Sequence, residues 1–269
     1  MHVLVCIKMD YRDIVAAMNV KEGERIWLSS DIIAYALSFR KEKKKFDQNA
    51  LLDAFIEALG PEGTLLIPTF NFDFSNHGYY DYVKSKGTTG ALGNTALARG
   101  DFARTTHPLH SFAVWGKDKE YLVSMNNNNS FGTDSPFSYC IQRHVRQIIL
   151  GTDYVHALTF MHYAEATCAV PYRYMKTFVG EYTDADGVTE TRSYVYPVRK
   201  LEIRPEECSN LIGEVFEQRG IAYQVDIEGI SNISLDLAES YPVLCDDILH
   251  NQCRNIYNFN VPREEIFVY

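Results

Sequence analysis

Positive charge is what this 269-residue sequence is shortest of: 26 lysines and arginines stand against 35 aspartates and glutamates, a formal charge of −9. That balance argues against a nucleic-acid partner, because a phosphate backbone is met by a basic face. The one basic run, residues 40–45, follows a helical pattern and reads as a solvated helix end or loop. Long apolar runs are also missing, so no membrane span is expected, and residues 1–6 are too short for the apolar part of a secretory leader. Nothing rich in Pro, Gly or Ser divides the chain, which therefore reads as one domain over residues 1–269. Cysteine is sparse: Cys6, Cys140, Cys168, Cys208, Cys245 and Cys253 are scattered, with no pair at metal-ligand spacing. They read as free thiols of a cytoplasmic protein, and no metal is expected. What is present is an apolar fraction of 46%, ordinary for a globular chain with a sizeable core.

The patterns alternate between strand and helix. Trp27 and Leu28 end a strand, residues 31–39 are helical, residues 50–59 form an amphipathic helix closed by Gly60, and residues 64–69 are a buried strand. Further strands end at Gly116 and Gly151. Such alternation predicts a single-domain α/β sandwich with a largely buried central sheet flanked by helices. Residues 181–196 add a β-hairpin insertion around Asp186 and Gly187, placed to wall a substrate site. After it come a helix near residues 209–220, extended segments, and a last helix near residues 246–253.

Three clusters carry chemistry. His162 and Glu165 follow the strand ending at Gly151; if the run enters a helix near Ala157, a spacing of three puts both on one face, where the carboxylate fixes the ring tautomer and stabilises an imidazolium. Arg104, His107, His110 and Ser111 lead into the apolar strand that ends at Gly116, with His107 held extended by Pro108. Gly132, Thr133, Asp134, Ser135 and Pro136 form a capped helix start whose amides suit an anion or oxyanion. The block Asn71, Phe72, Asp73, Phe74 is polar and aromatic after a strand and reads as a substrate-side loop.

Taken together, these blocks resemble the aminoglycoside 3-N-acetyltransferase family of coenzyme A-dependent enzymes. The resemblance runs from Trp27, Leu28, Ser29 and Ser30 through residues 63–70, residues 89–93, residues 104–111, and Gly132 with Ser135 and Pro136, to Leu150, Gly151, Thr159, His162 and Glu165. One departure stands out: Leu28 replaces the histidine that usually precedes the paired serines. The resemblance implies acetyl-coenzyme A as co-substrate and a small-molecule primary amine, on an aminoglycoside or another amino sugar, as acceptor. It assigns catalysis to His162, Glu165 and His107, the coenzyme to Ser29, Ser30, Arg104, Ser111, Gly132, Thr133 and Ser135, and the acceptor to Asn71, Asp73, Tyr80 and Thr159. Tyr194 and Tyr196 would add aromatic faces. A monomer or homodimer is expected. A non-catalytic sugar or nucleotide binder on the same fold is the alternative; a serine hydrolase is disfavoured, since no Gly-x-Ser-x-Gly elbow occurs.

Overall fold

The computed structural model describes residues 3–5, 10–203 and 205–268; Cys6 and the ends of the 1–6 segment lie outside the described residues. In chain order the strands are β1 (Val3–Val5), β2 (Arg25–Ser30), β3 (Thr64–Pro68), β4 (Tyr79–Asp81), β5 (Ala103–Arg104), β6 (Phe112–Gly116), β7 (Arg146–Leu150), β8 (Arg173–Thr183), β9 (Thr189–Arg199), β10 (Glu206–Glu207), β11 (Ala222–Ile227), β12 (Ile230–Asp236) and β13 (Tyr257–Asn258). Eight of them make one mixed sheet in the order β1-β11-β12-β7-β2-β3-β6-β5. At its centre β7, β2 and β3 run parallel, flanked by antiparallel β12 and β6.

Both faces of this sheet are covered, which is why β2 and β3 read as near-continuous apolar runs rather than as alternating ones. Ile26 and Leu28 pack with Leu65 and Ile67 against one layer, represented by Ile14, Tyr35, Leu51 and Leu92. Trp27, Leu66, Val114 and Ile149 face the other, represented by Phe137, Met161, Ile212 and Leu244. The architecture is the α/β sandwich that the alternation predicts. The helix Gln48–Leu59 begins with Asp47, whose side chain accepts from the amides of Asn49 and Ala50, and ends at Gly60.

Three expectations need correction. The hairpin is longer than residues 181–196: β8 and β9 pair over eleven residues each, from Arg173 opposite Arg199 to Thr183 opposite Thr189. The first half of β8 is mostly exposed, so it carries no alternation to read. The last long helix is Leu237–His250 rather than residues 246–253; its start is capped by Asp236, and Pro242 lies inside it, forfeiting a helical bond that the packed face outweighs. The run after Gly151 is two short helices, Tyr154–Ala157 and Met161–Thr167, because Leu158 takes ψ 47 and breaks the first. Beyond the sheet, β4 pairs with β8, and Phe74, Tyr80, Leu109, Tyr182 and Tyr194 form a small core beneath the hairpin.

Candidate active site

The segment that carries His162 and Glu165 is placed by the end of β7. Gly151 has φ 68, and a Cβ there would lie 2.3 Å from the Asp31 carbonyl oxygen, so the tight exit demands glycine. On the second short helix, His162 Nδ1 lies 2.6 Å from Glu165 Oε2. Glu165 is fully buried. Its other oxygen accepts from the Tyr172 hydroxyl at 2.7 Å, and Arg173 Nε stands 2.9 Å from Oε2. Burial alone would raise the Glu165 carboxyl, but the charges of Arg173 and His162 and the bonds from His162 and Tyr172 hold it at about 2. An ionised carboxylate only accepts, so Nδ1 carries the ring hydrogen and Nε2 is bare. Arg173 Nη2, a donor only, lies 3.3 Å from the same Nδ1, too long to compete with the 2.6 Å contact to the carboxylate, and no hydrogen bond reaches Nε2 among the described residues. Burial and the Arg173 charge push the imidazole below its ordinary value, partly offset by Glu165. A neutral imidazole with a free lone pair, backed by a fixed anion, can take a proton.

The second histidine cluster has different chemistry. His107 Nδ1 accepts from the amides of Leu109 and His110 at 3.2 and 3.3 Å, so its hydrogen is on Nε2, which faces Ser130 Oγ at 3.4 Å. Ser130 Oγ is in turn 2.9 Å from His110 Nδ1. No carboxylate takes part in these bonds. Burial pushes His107 down to about 3, and burial with the neighbouring imidazoles pushes His110 well below its ordinary value. An acid role for His107 thus meets a neutral ring whose donor is already engaged by the Asn128 backbone and faces the Ser130 hydroxyl. His110 connects the clusters through aromatic contacts, with Phe131 5.1 Å from His110 and 6.2 Å from His162 between ring centroids.

Open space lies at the carboxyl ends of β2 and β3, as expected for such sheets. A cavity of about 450 Å³ is lined by Ser29, Ser30 and Asp31, by Phe70, by residues 89–93 and by Thr152, His156 and Thr159. Gly93 lets this wall close up, since a Cβ there would sit 2.4 Å from the Pro68 carbonyl. Gln147, buried beneath, donates to both Ser29 Oγ at 3.0 Å and the Ala157 carbonyl at 2.9 Å, tying the serine to the His162 segment. The His162 amide bonds the Thr159 carbonyl at 3.1 Å.

The structure therefore brings Ser29, Ser30 and Thr159 together on one cavity, with His162 behind its wall and joined to it through the Thr159 carbonyl, but it distributes the other expected residues. Thr133 and Ser135 line a separate hollow of about 290 Å³ with Tyr121 and Asn126, and Gly132 lies behind them, its carbonyl bound by the Ser135 hydroxyl at 2.6 Å. Arg104 and Ser111 are buried and bound to each other at 3.0 Å; Arg104 also donates to the carbonyls of Thr69, Tyr82 and Ser85. That pair braces the loops instead of lining a cavity. Asp73 and Tyr80 line a third space of about 510 Å³, while Asn71 bonds Asp73 and the Lys86 carbonyl. Tyr80 is buried with its ring under Arg104 at 5.1 Å, and Tyr194 is buried against His107, so neither presents a free aromatic face. Tyr172, Arg173 and Gln147 are partners that the sequence reading missed. They come from segments whose spacing to Glu165 or Ser29 carries no signal.

Among the described residues no group of three metal-ligating side chains gathers, and no helix is long and apolar enough to cross a membrane. The family model of the aminoglycoside 3-N-acetyltransferases matches residues 38–243. The chain belongs to this family. It is therefore an acyltransferase, of the coenzyme A-dependent N-acetyltransferase class. An aminoglycoside N(3')-acetyltransferase-like protein of Bacillus subtilis, YokD, is 23% identical over 191 residues, 62% of this chain and 67% of that one. Its crystal structure superposes with a TM-score of 0.72 over 90% of this chain and 98% of its own. The aminoglycoside acetyltransferase AAC(3)-Xa gives 0.73 at 19% identity, covering 88% and 90%. The enzyme AAC-IIIb, solved as a binary complex with coenzyme A, gives 0.71 at 15% identity, covering 91% and 97%. At those identities the structural likenesses speak for the fold.

Proposed function

We propose that this acetyltransferase moves the acetyl group of acetyl-coenzyme A directly onto a primary amine of an amino sugar, either an aminoglycoside or a biosynthetic, possibly nucleotide-linked, amino sugar, with His162 as general base. The observation that carries this reading is the 2.6 Å contact between His162 Nδ1 and the buried, ionised Glu165. In the reaction the amine nitrogen bonds the thioester carbon while His162 Nε2 takes its proton, and the tetrahedral species collapses with loss of the thiolate. Glu165 holds the ring and balances the imidazolium; Tyr172 and Arg173 hold Glu165. Ser29 and Ser30 are assigned to the donor's acyl-pantetheine arm and Thr159, on the same cavity wall, to the acceptor. His107 is assigned a positioning role through Ser130 and His110.

The acceptor assignment to a cationic amino sugar is supported by the −9 charge and by the polar Asn71 and Asp73 loop, whose Phe72 packs on His110 at 5.7 Å. The cytoplasm is the assigned compartment, consistent with the five free cysteines among the described residues. The test is release of free thiol from acetyl-coenzyme A with a panel of amino sugars, the acetylated product being identified by mass. Thiol release dependent on an amino sugar is expected. Binding of coenzyme A with no transfer to any amine would favour the non-catalytic binder, and acetylation of a lysine peptide alone would overturn the acceptor class.

A further inference from the structure

We propose that His156, held by Asp153 at the mouth of the cavity beside Ser29 and Ser30, grips a phosphate at the nucleotide end of the acyl donor. This inference rests on the acetyltransferase reading above. Thr159, whose carbonyl accepts from the His162 amide at 3.1 Å, lines the same cavity as His156, Ser29 and Ser30, so one extended donor can span them. There the His156 side chain is 71% exposed. Among the described residues lining that cavity, it is the one side chain able to carry positive charge.

The imidazole is built into place. Asp153 caps the helix Tyr154–Ala157, accepting from the His156 amide at 3.2 Å and facing the His156 ring Nδ1 at 2.6 Å with the same oxygen. Asn210 donates to its other oxygen at 3.3 Å. With Nδ1 bound to Asp153, Nε2 is the ring nitrogen left for a ligand. The hydrogen bond and charge of Asp153 raise the imidazole above its ordinary value despite some desolvation, which keeps Nε2–H available as a charged donor. The other charged groups acting on it are Glu207 on β10 and Asp31 after β2. Asp31 lines the same cavity, and its charge adds to that of Asp153 in favouring the imidazolium. Asp31 accepts from the Ile33 amide at 2.9 Å, and Glu207 accepts from Ser209 at 2.9 Å and is shifted toward its neutral form by burial.

His156 and His162 therefore divide the labour by environment. An exposed ring beside a carboxylate favours the cation, and a buried ring beside both a carboxylate and a guanidinium favours the neutral base.

The experiment compares acetyl-coenzyme A with S-acetylpantetheine, which carries the same acyl arm without phosphates. In the wild type kcat/KM should favour acetyl-coenzyme A, and His156→Ala should narrow that preference about fivefold, as suits one exposed charged contact. His156→Gln, polar but uncharged, should narrow it equally, and His156→Arg should restore it. A preference that survives both neutral substitutions, or a loss equal for the two donors, would overturn the assignment. A wild type that transfers acetyl from neither donor would overturn the acetyltransferase reading with it, whereas normal transfer with an unchanged preference in His156→Ala overturns this inference alone.

Discussion

His162, with 15% of its side chain exposed, and His107, fully buried, are imidazoles of one enzyme, yet the chain gives them opposite tautomers. At His162 a carboxylate takes the Nδ1 hydrogen and leaves Nε2 bare; at His107 two backbone amides occupy Nδ1 and the hydrogen sits on Nε2. The difference lies in the partner. An anion can balance the imidazolium that proton transfer creates; at His107 the amides on Nδ1 hold the neutral ring, and the Asn128 backbone bond that favours the cation is outweighed by burial. Burial alone does not make a base; the charge behind the ring does.

The largest effect should come from removing the ring that has the anion. His162→Ala is expected to lower kcat by about 10²- to 10⁴-fold, measured by thiol release, with coenzyme binding nearly intact by calorimetry. His107→Ala breaks the same comparison differently: it strips two buried amides of their acceptor and opens a cavity, costing about 2–4 kcal/mol in urea unfolding, while turnover of the folded fraction stays within a few-fold. Equal turnover losses in the two variants would remove the distinction.

A smaller effect is expected on acidification. His107, His110 and His162 all have folded-state values below 6.5, so below that pH the unfolded chain binds protons that the folded chain refuses. Each such histidine should remove about 1.4 kcal/mol per pH unit as pH falls from 6.5 toward its folded value, which for His107 is about 3. Glu165 works in a lower window: its folded value of about 2 lies under the ordinary value of 4.5, so its contribution is complete above 4.5 and lost as pH falls toward 2. Urea midpoints at a series of pH values should decline from about pH 6.5; a plateau down to pH 5 would mean these rings are charged in the fold. The smallest effect sharpens the role of the surroundings. Arg173 depresses His162, so Arg173→Met should move the acidic limb of kcat/KM upward, and Glu165→Gln should move it downward.

The legible parts of this molecule are those whose causes are local. Ser135 caps a helix with Pro136 at its first position, Gly60 closes another, and the three-residue step from His162 to Glu165 puts them in contact, all within a few residues of sequence. The illegible parts are pairings across the chain. Arg173 reaches Glu165 from the first residue of β8, Gln147 joins Ser29 to Ala157 from β7, and β12 separates β11 from β7 by antiparallel pairing that no periodicity announces. Ser135 and Ser29 illustrate the limit: both lie in recognisable blocks, yet they line different hollows. Residue type told which groups had chemistry to offer, and only the sheet order told which of them share a space.

The tautomers themselves are the most direct test. With histidine ring nitrogens labelled by ¹⁵N, nuclear magnetic resonance of the folded protein at neutral pH should show His162 protonated at Nδ1 and bare at Nε2, titrating below 6.5, and His107 protonated at Nε2 without titrating down to about pH 4. A His162 that carries its hydrogen on Nε2 at neutral pH would have no lone pair to offer the amine, and the account of it as the base would be contradicted.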